Sequence, residues 1–327
     1  MKRKIVAVAA LVGLFSLGVT WARPAGPQSP ELLAALPDGN AAFVVDVKRV
    51  LSSSLWAAIS SHDPAKGALE RMQSEMSEIG VKLTDINSVA IVFQGGGGKD
   101  AVIAANGTFN QNDLLARLRT DQKIKLTSEK YKNFDIYTVK GVSPAEPKKQ
   151  SGENFDASFW FCGDGIVVSG PVAGVRAAVD VKTGQRSSIA QNEKIGAALA
   201  QNSTAAARFA IVLTPGMKGA MQSSDFPLPD FSTISMAFGA IDIGSGVDLN
   251  LTLRSDTAEH AKSIADSLNG LLGMARGFLG AAAGDAKGKA LAGALKSVTI
   301  NGVDADVKIT GNLSAEVLAE VLRSGRS

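Results

Sequence analysis

The chain has 327 residues, 34 Lys+Arg against 31 Asp+Glu, one cysteine and two histidines. That length is enough for a sizeable core, and a single cysteine excludes an internal disulfide as its support. All three surplus positive charges sit at Lys2, Arg3 and Lys4, so the rest of the chain carries 31 of each sign; a neutral body has no general pull toward nucleic acid or anionic lipid.

The chain opens with that basic cluster, an apolar run from Ile5 to Val19, and then Thr20-Trp21-Ala22. This is the three-part order of a secretory signal, with small residues at the positions a signal peptidase reads. Cleavage is expected after Ala22, with Arg23, Pro24 and Pro27 following. A spanning anchor needs roughly 20 apolar residues, more than the run supplies. No cysteine lies near the cut to take a lipid. The expected product is periplasmic or secreted, soluble, and without a stable membrane anchor after cleavage.

The predicted elements then run as follows. A short helix covers Ser29 to Leu36 with Pro30 near its start. Pro37-Asp38-Gly39-Asn40 is a turn, Ala41 to Val47 a strand, and Asp46 the cap of a helix to about Ile59. A second helix from Ala65 ends at Gly80. Val89 to Phe93 and Ala101 to Ala105 form a hairpin, and Asn110 caps the next helix, whose buried side is Leu114, Leu115 and Leu118. Strands follow at Lys123 to Thr127, Phe134 to Val139, Ala157 to Cys162 and Ile166 to Ser169, with a polar loop from Val142 to Asn154, and Pro171 starts a helix.

In the second half, Ala206 to Leu213 is a strand, and Thr214-Pro215 opens a helix. A hairpin spans Thr233 to Leu253. Asp256 or Thr257 caps a helix whose stripe is Ala261, Ile264, Leu268, Leu271, Ala275 and Phe278. Gly280 to Lys289 reads as a flexible small-residue stretch, and two strands and a helix from Ser314 to Leu322 close the chain.

The order of elements occurs twice. Asp46 after Phe43-Val44-Val45 matches Thr214 after Ile211-Val212-Leu213, and Phe134-Asp135-Ile136 matches Val303-Asp304-Ala305. The expected fold class is therefore α+β, with mainly antiparallel sheets and helices packed on one face, built from two copies of a β-α-ββ-α-ββ-α unit. The expected organisation is a signal peptide over 1–22, an N-terminal half over 23–190 and a C-terminal half over 191–327.

No motif supplies a cofactor, metal or catalytic residue. Gly95 to Gly98 lead through Lys99 and Asp100 into a strand, whereas a phosphate loop runs into a helix N-terminus. Lys182-Thr183-Gly184 lacks the Ser-x-x-Lys partner that lactamase chemistry needs. His62 and His260 read as surface residues, and with Cys162 they make no zinc spacing. Carboxylate pairs can drive glycoside hydrolysis, and an exported hydrolase using carboxylates or Ser/Lys without histidine is one competing reading; a membrane-associated protein using the small-residue stretch Gly270 to Gly284 is another, although Lys262, Asp266 and Asn269 fit a helix lying on a sheet better. Tyr137 and Trp160 lie on strands expected to be neighbours, where they either pack in the core under a helix or share an open sheet face as a contact patch.

The segments LPDGNAAFVVDVKRVL, from Leu36, and VAIVF with AVIAANGTFNQNDLLARL, from Val89 and Ala101, resemble those of exported bacterial proteins of unknown function. In those a Leu-Pro-Asp segment precedes a strand ending in Asp. The resemblance implies no activity and no site residues. The sequence thus points to an exported, non-enzymatic envelope protein with a protein partner or ligand, no nucleic acid and no cofactor, and it leaves the oligomeric state open.

Overall fold

The computed structural model describes residues 29–53, 80–95, 100–121, 124–141, 156–163, 165–222, 230–244, 246–281 and 286–314, with single residues of 56–77 and Val317. The expected leader with its expected cut at Ala22, His62, the loop expected over 142–154 and most of the expected closing helix lie outside these residues.

The elements in chain order are α1 (Ser29–Ala35), β1 (Ala41–Asp46), α2 (Val47–Leu51), β2 (Ile86–Phe93), β3 (Ala101–Gly107), α3 (Gln111–Thr120), β4 (Ile124–Tyr131), β5 (Phe134–Gly141), β6 (Asp156–Gly163), β7 (Ile166–Gly170), α4 (Val172–Lys182), α5 (Glu193–Ala200), β8 (Ala207–Val212), α6 (Pro215–Gln222), β9 (Ile234–Ile243), β10 (Gly246–Ser255), α7 (Ala258–Ala281), α8 (Ala286–Ser297), β11 (Thr299–Val303) and β12 (Asp306–Ser314). The described residues of 27–39 and 66–193 form one compact unit, and those of 40–65 and 194–327 a second. The first strand and its helix fall in the second unit. The fold is α+β, and every described strand pairing is antiparallel.

In the first unit the strand order is β2-β3-β7-β6-β5-β4. Helices α1 and α4 pack on one face, where Leu32, Leu36, Val175 and Val179 are buried with Val92, Val102, Trp160 and Val168. The other face is buried too, at Val89, Ile91, Ile103, Ala105 and Phe159. That explains why β2 and β3 read as unbroken apolar runs and not as alternating ones. Gly80 ends the helical segment before β2: its φ of +81° is open to glycine at little cost. The Val81 amide reaches back to the Met76 carbonyl, which is the glycine C-cap pattern.

In the second unit the order is β11-β12-β10-β9-β8-β1. Helix α7 lies on β10, β11 and β12, and Ala261, Ile264 and Ala265 pack with Ile234, Val307, Leu253 and Ile309. The caps are as read: Asp46 accepts from the Arg49 amide, Asn110 from the Asn112 and Asp113 amides, Thr214 from Met217 and Thr257 from His260.

Four expectations change. Helix α5 was not expected. The stretch 280–289, read as flexible, is helical at Gly280 and Ala281 and again from Ala286. The tight turn between β11 and β12 is Asp304-Ala305, with Asp304 at φ +52°, matching Lys132-Asn133 at +49° and +70°; the repeat register at this hairpin therefore shifts, and Phe134 corresponds to Asp306. Phe278 is not on the buried stripe but 75% exposed, and Leu272 is buried instead. The reason is the period. Five steps from Ala261 to Phe278 cover 17 residues, about 100° short of five full turns at 3.6 residues per turn.

Candidate functional site

Tyr137 and Trp160 do not share an open sheet face as a contact patch. The register Tyr137↔Phe159 puts Tyr137 on the face of Phe159 and Phe161, where its ring stacks on Phe159 at 5.4 Å and meets Phe161 edge-on at 6.2 Å. Trp160, one residue along, points to the opposite face, edge-on to Phe134 at 5.3 Å. Both are buried, Trp160 to 2% exposure. Strand alternation, applied to both strands with the observed register, separates the two rings.

Titratable groups converge instead in the second unit. Asp46 ends β1 and caps α2, Arg49 is on α2, Arg208 on β8 and Asp242 on β9. Arg49 donates to Asp242 at 2.5 Å, and Arg208 donates to the Ser203 carbonyl at 2.6 Å. Both guanidinium side chains are buried, and the Nε of each has no hydrogen-bond partner among the described residues. Burial pushes the Asp46 carboxyl above the ordinary range, against the opposing pull of the Arg49 amide and the charges of Arg49, Lys48 and Arg208. Burial likewise lowers the Arg208 pKa, with Asp46 opposing.

This cluster is charge-balanced, with both arginines buried and Asp242 opening to solvent, and its chemistry is that of a tie between α2 and the sheet. Two carboxylates are present, but each faces a guanidinium. The raised Asp46 pKa has a defined consequence. The native state binds the proton more tightly than the unfolded chain, so stability rises as pH falls through the native pKa toward 3.8, the ordinary value. Asp46→Asn keeps a capping oxygen without the buried charge. It is expected to leave stability at pH 7 unchanged or higher, whereas Asp46→Ala loses the cap, about 1 kcal/mol. Urea unfolding of both variants at pH 7 and 5 checks this, and an Asn variant weaker than Ala contradicts it.

The first unit has a second polar group. Lys132 and Tyr131 donate to Asp180, Lys132 also to Gln185, and Arg176 grips Glu129 through Nη2 at 2.7 and 2.9 Å. Burial alone would raise the Asp180 pKa; the Lys132 and Tyr131 hydrogen bonds outweigh it and hold it below the usual range. Beside this group a surface depression of about 520 Å³ is lined by Gln185, Arg186, Ser187, Ser188 and Gln191. Another, of about 370 Å³ in the second unit, is lined by Lys262, Asp266, Asn269, Asn301 and Asp304, and there Lys262 donates to Asp266 at 2.6 Å. His260 is exposed as expected and pairs with Asp256 at 2.7 Å. Among the described residues no group of three or more His, Cys, Asp or Glu could hold a metal.

The other unsatisfied feature is a helix face. The solvent side of α7 is polar over its first turns, with Lys262, Ser263, Asp266 and Ser267 exposed, and then becomes Gly270, Gly273, Met274, Gly277 and Phe278, with the exposed Arg276 alongside. Met274 is 65% and Phe278 75% exposed. An amphipathic surface helix keeps its outer side polar throughout; this one does so only halfway. The stripe of alternating three- and four-residue steps hides the change, because it carries Phe278 onto the core side.

Comparison with solved structures places the fold beside TP0453. Crystal form III of TP0453 aligns at TM-score 0.51 and 11% identity, over 90% of this chain and 98% of that one. Forms IV and I align at 0.47 and 0.46, with 9% and 14% identity, over 89% and 92% of this chain and 96% and 100% of those. No protein-family model and no curated protein matches the chain. At this identity the likeness to form III is one of fold.

Proposed function

We propose that this is an exported, non-enzymatic protein of the cell envelope that works by binding, and that the outer face of α7 from Gly270 to Phe278 is its contact surface. The observation that carries the reading is the exposure of Met274 and Phe278 on a helix whose neighbouring turns are polar outside and buried inside. Large exposed apolar side chains grouped on one face mark interaction surfaces more than scattered ones do. Export rests on the leader and its cut at Ala22. The test is a photo-crosslinking side chain at position 278 in the full chain, expressed in its native envelope. The expected result is a mature product beginning at Arg23 by mass spectrometry and a specific adduct at 278. A chain retaining Met1 in the cell interior, or no adduct, defeats the reading.

The two units are also read as products of one duplicated plan. What supports this is that hairpin β2-β3, helix α3 and hairpin β4-β5 follow one another as β9-β10, α7-α8 and β11-β12 do, with β6 and β7 as the extra strands of the first copy.

A further inference from the structure

We infer that the partner of this face is an anionic lipid surface, on which the outer half of α7, with α8, lies as a reversible interfacial anchor; the inference rests on the binding reading above and names its ligand class. The first observation is the character of the face itself, apolar and small except for the two projecting side chains Met274 and Phe278. The second is charge. From Ser267 to Ser297 the chain carries Arg276, Lys287, Lys289 and Lys296 against the single acid Asp285, whereas the rest of the chain beyond Lys4 carries 27 basic and 30 acidic residues. An apolar helix face with basic residues around it is the pattern of a helix that sits at the headgroup boundary.

Size decides against a protein partner. A specific protein interface buries roughly 1,200 Å² or more, and two side chains among glycines offer far less. An interfacial helix needs only a few apolar side chains at the acyl boundary and electrostatic attraction around them. The hairpin is also held for the purpose. Arg276 donates to the Leu295 carbonyl at 2.8 and 3.0 Å and to that of Val298 at 2.7 Å, which ties α7 to the end of α8. No described helix is long and apolar enough to cross a membrane.

The experiment is vesicle flotation of the mature chain, from Arg23, on phosphatidylcholine vesicles with and without phosphatidylglycerol. Binding is expected only with the anionic lipid and is expected to weaken at high salt. The double variant Met274→Ser/Phe278→Ser is expected to lower the bound fraction at least about tenfold, with unchanged circular dichroism and urea midpoint. Lys289→Gln/Lys296→Gln is expected to weaken binding without touching the fold. No flotation on anionic vesicles, or flotation that the serine variant leaves intact, overturns the inference. If flotation fails while the crosslinker at 278 captures a protein, the lipid assignment falls and the binding reading stands; if both fail, both fall.

Discussion

Trp160→Ala is expected to destabilise the first unit by about 3–5 kcal/mol, among the largest effects of any single truncation in the chain. The indole is 2% exposed, pairs across the sheet with Val168, and meets the Phe134 ring edge-on at 5.3 Å. Above that face lies α4, with Val175 and Val179 fully buried. Removing the ring leaves a void that β5, β6 and α4 cannot close together, because the strands are fixed by their ladder on both sides. Trp160→Phe, which keeps a ring in the same place, is expected to recover more than half of the loss. Hydrogen exchange read by mass spectrometry should show faster exchange across β5, β6 and β7, while peptides of α7 and β10 in the second unit stay unchanged. The same variant separates core from contact surface. A tryptophan serving as a contact patch would lose binding and keep stability; this one is expected to do the reverse, and a stable Trp160→Ala protein would contradict the packing described.

The sequence leaves Trp160 between core packing and an open sheet face, and the structure puts it in the core. Strand positions were legible, because β-branched and aromatic runs bounded by Gly, Asn and Asp mark them, and the caps at Asp46, Asn110, Thr214 and Thr257 follow from local hydrogen bonding alone. Register was not legible. Whether Tyr137 faces Phe159 or Trp160 is set by the pairing between two strands separated by a loop of free length, and a slip of one residue swaps every face. Burial on both sides of β2 and β3 could be inferred from their unbroken apolar runs, but nothing local says which elements cover them. The site fared similarly. Asp46 stood out as a cap, yet its companions Arg208 and Asp242 come from strands far along the chain and reach it only through the order β9-β8-β1. The uncovered face of α7 was visible in principle: carrying a 3.6-residue period through Phe278, in place of alternating steps of three and four, takes that ring off the core side.

Gly39→Ala is expected to cost about 3 kcal/mol, and it tests the segment on which the sequence resemblance rests. Leu36 is fully buried, and its carbonyl accepts from the Ile189 amide at 3.0 Å. Pro37 bridges to Ser188, and the Asp38 amide donates to the Ser187 carbonyl at 3.2 Å. The Asp38 carboxylate then accepts from its neighbour Gly39 and from the Asn192 side chain, each at 2.8 Å. The segment is thus a clasp that holds the loop after α4 against the turn between α1 and β1. Gly39 completes it by passing close to the end of β2: a Cβ there would lie 2.4 Å from the Phe93 carbonyl oxygen and 2.6 Å from Val92 Cγ1. Neither neighbour can step aside cheaply, since one is strand backbone and the other a fully buried side chain. The alanine methyl must therefore push the clasp off β2, and the hydrogen bonds of Asp38 go with it. Asp38→Asn keeps an acceptor for both donors and is expected to cost less than about 1 kcal/mol. Urea unfolding of the two variants side by side is the check. If Gly39→Ala proves no less stable than Asp38→Asn, the close approach to Phe93 is not what requires glycine at this position.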